Sequence, residues 1–246
     1  MHTCKNCDNQ FEGEYCNKCG QNIHLHKINL KYVWFDVSQG LLSFDTGFLY
    51  TVKQLLSRPG HTAREYIEGK RVAHFRPVSF LIVLTTFEVL LFHIIGFRNE
   101  VPTYEAGYEY AEKMTLVNDW LENHQTITLL ASLPIFAFWT YLFFPRQKYN
   151  YAELLILNFF VAGQRIVIGL LIFPVFYFLK IGYGTYTTVS LLISYILIAW
   201  IYTQFFNKAN RLKTIILALF TNFLSFVSFM ILSVFIILGY LYLFGS

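Results

Sequence analysis

The chain has 246 residues, of which 55% are hydrophobic, 19% aromatic and only 14% charged, with a net charge of +4. Average soluble domains carry about a quarter charged residues, so this deficit, with a mean hydropathy of +0.45, is the more telling departure. The apolar residues gather after Pro77 in runs too long for soluble helices, which excludes an ordinary cytosolic enzyme, a disordered protein and a secreted disulfide scaffold.

Residues 1–26 read as a zinc ribbon. They contain Cys4-Lys5-Asn6-Cys7 and, after an eight-residue spacer, Cys16-Asn17-Lys18-Cys19-Gly20. A CxxC turn brings two thiolates onto one metal, and two such turns complete a tetrahedral Cys4, Cys7, Cys16, Cys19 site for one structural Zn2+ per chain. The spacer suits a hairpin with Gly13 near its tip, and Gly20 can supply a positive φ after the second turn. Two disulfides or two redox pairs are the competing readings. A reducing compartment disfavours the first, and the lack of a surrounding βαβ unit disfavours the second. His24 and His26 follow closely, but four thiolates already fill the shell. Lys5 and Lys18 against Asp8, Glu12 and Glu14 give no basic surface, which argues against nucleic acid as a partner.

Residues 27–77 form a juxtamembrane region of amphipathic helices. Phe48, Leu49, Val52, Leu55 and Leu56 repeat on one helical face, and Val33, Trp34, Val37 and Leu41 make a weaker stripe. Ser57-Arg58-Pro59-Gly60 breaks the helix, and a further short one runs over 61–68 to end at Gly69. The basic residues Arg58, Arg64, Lys70, Arg71 and Arg76 could hold this region against anionic lipid head groups. Alternatively the helices pack on the end of the bundle, and these charges only set topology.

Five stretches in 78–246 satisfy the rule that about 20 apolar residues cross a ~30 Å hydrocarbon core: 78–97, 126–144, 152–179, 185–206 and 214–244. They lack the alternation of membrane strands, so the expected class is an all-α polytopic membrane protein. The third and fifth exceed the bilayer and call for tilt, a kink such as Pro174 allows, or an extension beyond it. Ten basic residues from Lys5 to Arg76 precede the first span; Arg146, Lys148, Lys208, Arg211 and Lys213 fall on the same side of the alternation. Only Arg98, Lys113 and Lys180 fall opposite. This bias predicts a five-span membrane protein with a cytoplasmic N-terminus and a C-terminus on the opposite side. No secretory signal peptide is visible in the first 75 residues, so the first span is expected to direct insertion.

Two charges lie near mid-bilayer, Glu88 in the first span and Arg165 in the third, roughly 17 and 20 Å from the N-terminal ends of their helices. Both spans start on the same side, so the two could pair. Gln164, Asn158 and His93 lie near them along the same helices. One reading is an ion path or a pocket for a small anionic group on Arg165. The other is a buried ion pair fixing helix register, with Gln164, Asn158 and Asn222 as interhelical hydrogen-bond partners. An acidic outer loop at 98–125 carries Glu100, Glu105, Glu109, Glu112, Asp119 and Glu122, best read as a solvated face.

No phosphate-binding loop, dinucleotide fingerprint, HExxH or GxSxG occurs, and no nucleophile sits beside a histidine on a catalytic framework. No enzyme activity is therefore expected. No internal repeat is obvious; a homo-oligomer could supply the symmetry that a transporter needs.

Cys4-Lys5-Asn6-Cys7 with Gly13-Glu14-Tyr15-Cys16-Asn17-Lys18-Cys19-Gly20-Gln21 resembles the N-terminus of the family called domain of unknown function 3667. Arg58-Pro59-Gly60, the run from Arg64 to Arg71 and Arg76-Pro77 resemble its second hallmark. The resemblance covers about the first 95 residues. It implies a zinc ribbon, an amphipathic stretch and several spans, mostly in Bacteroidetes-type bacteria, and no substrate. The leading expectation is a non-enzymatic membrane protein in a lipid bilayer, its ribbon a docking or folding module that could meet a cytoplasmic protein partner. The alternative is a small-solute or ion transporter component built on Glu88, Arg165, Gln164 and His93.

Overall fold

The backbone at the N-terminus is organised by its two CxxC turns. In the computed structural model, which describes residues 1–39, 47–97, 124–144 and 148–244, β1 (His2–Thr3) pairs antiparallel with β2 (Gln10–Phe11) around the first turn. An isolated bridge between Tyr15 and Asn22 encloses the second. The expected hairpin across the spacer is thus replaced by one short pairing around each turn, with Gly13 at φ +101° between them. The reason is local: each turn closes on itself, Cys4 N–H donating to Asn9 O and Cys16 N–H to Gln21 O, both at 2.9 Å.

Among the described residues three short helices follow: α1 (Leu30–Gln39), α2 (Gly47–Ser57) and α3 (Pro59–Glu68). The predicted break at 57–60 narrows to Arg58, because proline at the first helical position loses no needed N–H and already has a helical φ. Gly69, at φ +123°, ends α3 and donates to Glu65 O at 3.0 Å. The buried face of α2 is Gly47, Thr51 and Leu55, while the predicted Leu49 points outward at 76% exposure. Thr51 is decisive: its hydroxyl donates to Gly47 O and accepts Phe75 N–H, both at 2.8 Å, so the polar residue faces in.

Among the described residues five helices are long and apolar enough to cross a membrane, making this a multi-pass membrane protein. They are α4 (Pro77–Ile95), α5 (Gln125–Phe143), α6 (Tyr151–Phe178), α7 (Tyr183–Phe205) and α8 (Arg211–Phe244). Each starts within a few residues of its expected position. Proline 77 opens α4 and Gly96, in the left-handed region at φ +70°, closes it. Asn150 caps α6 with a reciprocal capping box, accepting from Glu153 N at 2.9 Å while its own N–H reaches Glu153 Oε2 at 2.8 Å.

Helix α6 is the hub. It packs against α4, α5, α7, α2 and α3, and 72% of its apolar window is buried against 17% for α8. Between lipid-exposed helices, close packing and not hydrophobic transfer drives association. Accordingly Gly163 of α6 lets the Phe80 ring of α4 approach to 2.9 Å of where a Cβ would stand. That contact pairs the first turn of α4 with the middle of α6. The excess length of α6 is therefore an extension past the start of α4, and α1–α3 pack around the bundle at that end. The residues 98–123 that carry the acidic loop, along with Leu41 and Arg146, lie outside the described residues, as does the side chain of Val37.

Candidate metal centre and intramembrane polar site

The four cysteines are brought together. Their sulfurs lie within 4.8 Å of one another, with Cys4 to Cys19 at 3.5 Å and Cys7 to Cys16 at 3.6 Å, and none is disulfide-bonded. A tetrahedron with metal–sulfur bonds of ~2.3 Å has sulfur–sulfur edges of roughly 3.8 Å, so the set has the dimensions for one metal ion. The two turns are built alike. Asp8 N–H donates to Cys4 O at 2.9 Å and Gly20 N–H to Cys16 O at 2.8 Å, and both residues have positive φ, 58° and 75°. Asn9 Nδ2 ties the turns together, donating to Asn17 Oδ1 at 2.7 Å. No histidine joins the group among the described residues.

Electrostatics also favour a cation here. Although Asn9 N–H favours the Cys7 thiolate, burial and three neighbouring sulfurs push that thiol up to about 12. Burial opposes ionisation of Cys16 as well, yet the N–H groups of Lys18 and Cys19 bring it down to about 6. The Cys7 and Cys16 thiols thus ionise unequally by themselves, and a bound divalent ion would remove that conflict.

The ribbon is fastened to the bundle by residues inside and beside its turns. Gln21, 3% exposed, accepts the N–H groups of Arg71 and Val72 at 3.2 and 3.4 Å through Oε1. Asn6 Oδ1 accepts Ala73 N–H at 3.4 Å. Arg71 returns the contact, donating to His26 O at 2.9 Å, with its guanidinium 4.8 Å above the Tyr32 ring and 5.9 Å from that of Tyr66. Asn150 Nδ2, at the start of α6, donates to Ile28 O at 3.0 Å.

Arg58, Lys70 and Arg64 are also occupied. Arg58 forms a two-pronged pair with Glu65 at 2.8 and 3.2 Å and a further bond to Gln54. Lys70 lies 3.8 Å from the same Glu65. Arg64 donates to Phe205 O at 3.3 Å and contacts His61, whose ring is kept below its usual pKa by burial and by Arg64 and Arg58. Arg76 is exposed just before α4. Gly60 brings α3 directly onto the end of α7. An added Cβ there would strike Ile201 O and come within 2.7 Å of Phe205 N, while Gly60 N–H donates to Gln204 Oε1 at 3.0 Å.

The residues expected near mid-bilayer divide into separate places, with Gly163 and Gln164, just before Arg165, at the level where α4 begins. Gln164 turns from Arg165 toward α2, and its Nε2 donates to Leu55 O at 2.8 Å. His93 is exposed in the last turn of α4. Glu88 lies beside Gly169 together with the Tyr186 hydroxyl, and no contact ion pair joins it to Arg165 among the described residues. Arg165 Nε instead donates to Ser194 Oγ at 2.9 Å. Asn158 and Arg165 do come together: both line one cavity between α5, α6, α7 and α8. Asn158 Nδ2 donates to Leu154 O at 2.8 Å and to Thr140 Oγ1 at 3.5 Å, and Thr140 meets the Tyr202 hydroxyl at 2.8 Å. Aromatic clusters lie at either end, Phe92, Phe97, Phe173 and Tyr186 beyond Glu88 and stacked Phe144 and Phe206 near Tyr202.

The geometry on the ribbon side rests on the α2–α3 hairpin and the strap that leads into α4. Residues 45–88 match the family model described as Protein of unknown function (DUF3667). It is the family that the cysteine and arginine motifs resemble, and the matched DUF3667 segment holds the second of those hallmarks. Within it fall Leu55, held by Gln164; Arg58 and Glu65, paired; Gly60, pressed on α7; and Arg71, seated between two tyrosines. Neither a curated protein nor a solved structure matches the chain.

Sequence reasoning passed over Asn6 and Gln21 as ligands of the strap, and Thr221 as a wall of the Arg165 cavity. A signal for Gln21 was present in the run Cys16-Asn17-Lys18-Cys19-Gly20-Gln21: an amide next to a metal turn is rigidly placed to read backbone.

Proposed function

We propose that this chain is an inner-membrane protein of bacteria whose zinc ribbon is a folding module, bracing the cytoplasmic end of a non-enzymatic helical bundle. The observation that carries this reading is the use of ribbon side chains on the chain itself. Asn6 and Gln21 hold the strap at residues 71–73, and that strap connects α3 to α4. A four-thiolate shell leaves no position for water or substrate, which suits a structural Zn2+. The ribbon is too small to bury a core without a metal; its apolar centre is little more than Phe11 and the cysteines. The excess of Lys and Arg before the first span supports a periplasmic C-terminus and a cytoplasmic N-terminus, and the reducing cytoplasm keeps the N-terminal thiols free. Tyr15, 61% exposed, lies on ribbon surface that a cytoplasmic protein partner could still meet.

Zinc analysis and hydrogen exchange on the purified full chain test this together. Wild-type protein is expected to hold one zinc per chain, and Cys16→Ser to lose it. Chelation, or Gln21→Ala with zinc retained, should speed exchange at the amides of residues 71–73 while leaving the spans protected. Full zinc content in Cys16→Ser would defeat the metal assignment. Unchanged exchange after metal loss would defeat the bracing role.

A further inference from the structure

We infer that the cavity at Arg165, between the membrane-spanning helices, is a binding site for one small monovalent inorganic anion, of halide type. The cavity measures about 30 Å³ and is walled by α5, α6, α7 and α8. A water position needs roughly 10–15 Å³ of such space, so the site takes one or two particles of water size and no organic solute.

Its polar groups fall into two classes. Ser132, Asn158 and Tyr202 are committed to the protein: Ser132 Oγ donates to Leu129 O at 2.7 Å, Asn158 to Leu154 O at 2.8 Å, and Tyr202 meets Thr140 at 2.8 Å. The remaining three are not. Thr221 Oγ1 and Asn222 Oδ1 have no hydrogen-bond partner among the described residues, and Thr221 is only 2% exposed. Arg165 uses Nε on Ser194, and no other hydrogen bond of its guanidinium is found among the described residues. An uncommitted hydroxyl, an amide and a guanidinium edge therefore share a space that no carboxylate lines.

The sign of the charge selects the ligand. Buried polar groups require partners, and water alone would satisfy Thr221 and Asn222. It would not balance a guanidinium in a low-dielectric interior, where charges are paired or neutralised. Glu88 does not do so by contact, since it stands one helical turn along α6, beside Gly169. A halide accepts from the guanidinium, from the Thr221 hydroxyl and, once a half-turn about the Asn222 Cβ–Cγ bond exchanges Oδ1 for Nδ2, from the Asn222 amide. Cations are opposed by Arg165, and larger oxyanions by the size of the space.

The test measures thermal unfolding of the full chain in lipid nanodiscs, in sodium chloride against sodium gluconate at equal ionic strength. Chloride is expected to raise the midpoint saturably, as a ligand of the folded state does, with radiochloride binding at one ion per chain. Thr221→Val should raise the half-saturating chloride concentration several-fold. Asn222→Asp places the anion covalently against Arg165, so its midpoint in gluconate should match that of wild type in chloride, and its chloride response should vanish. Equal midpoints in the two salts, or waters alone in the cavity with no radiochloride bound, would overturn the inference. So would an undiminished chloride response in Thr221→Val, which decides the matter if Asn222→Asp does not fold.

Discussion

At the level of single residues, His74 and Gly60 show how tightly the ribbon end is built. His74 is buried, its ring against Tyr50 and Tyr66 at 5.2 and 6.4 Å, and its Nδ1 has no hydrogen-bond partner among the described residues. Burial, helped by Arg58 and Lys70 and opposed by Glu65, holds its pKa down to about 4. Above its ordinary value of about 6.5 the ring is neutral whether folded or unfolded. Below that, the unfolded chain takes the proton first, so stability falls between pH 6.5 and 4 and levels off beneath. The loss contributed by His74 approaches about 3 kcal/mol. Unfolding measured at pH 7 and pH 4.5 should show a smaller drop in His74→Phe than in wild type, metal loss being common to both. Gly60→Ala should destabilise by about 1–3 kcal/mol, because backbone, not a flexible side chain, blocks the new methyl. Gly182→Ala, with nothing within 4 Å, is the matched control and should leave the denaturant midpoint nearly unchanged.

Among the elements, the spans were legible and the short helices only half so. Length and apolarity alone mark a membrane helix, and α4 to α8 lie where those criteria put them. In α2 the periodic apolar residues marked a helix but misplaced its inner face. Phe48 and Leu55 do pack inward, yet Leu49 and Leu56 face out, and Thr51 faces in. What decides the rotation is one hydroxyl satisfying Phe75 N–H, and no hydropathy pattern contains that bond. The polar site was legible in the same partial way. Asn158 and Arg165, seven residues apart on one helical face, do share a cavity. Gln164 and Arg165 are adjacent in sequence, and the helical period of about 100° per residue sends them to different neighbours. Gln164→Leu should therefore act on α2 and not on the cavity. It leaves Leu55 O without its donor, at a cost of about 1–3 kcal/mol, and hydrogen exchange should rise in α2 with chloride dependence intact.

For the whole molecule, the length of α6 organises everything else. A sequence with a 28-residue apolar helix leaves tilt, kinking and extension open. The contacts of Phe80 with Gly163 and of Leu55 with Gln164 identify extension, with α2 and α4 meeting α6 at one level, roughly 20 Å from its start. That level could not be read beforehand, because it depends on which residues small enough for close approach face each other.

The same contacts impose an order on biosynthesis. The bonds that seat the ribbon end span great distances in the chain: 144 residues from Gly60 to Gln204, 122 from Ile28 to Asn150, 109 from Leu55 to Gln164. At ~5–20 residues per second, the later partner emerges roughly 5–30 s after the earlier one. The cysteines, separated by 15 residues at most, are all made within the first few seconds, early enough for a metal ion to gather them. The ribbon is then finished before the strap that it grips, 50 to 67 residues further along the chain, has been made. During that interval Gly60, Leu55 and Tyr66 lack the α6 and α7 residues that cover them in the finished fold.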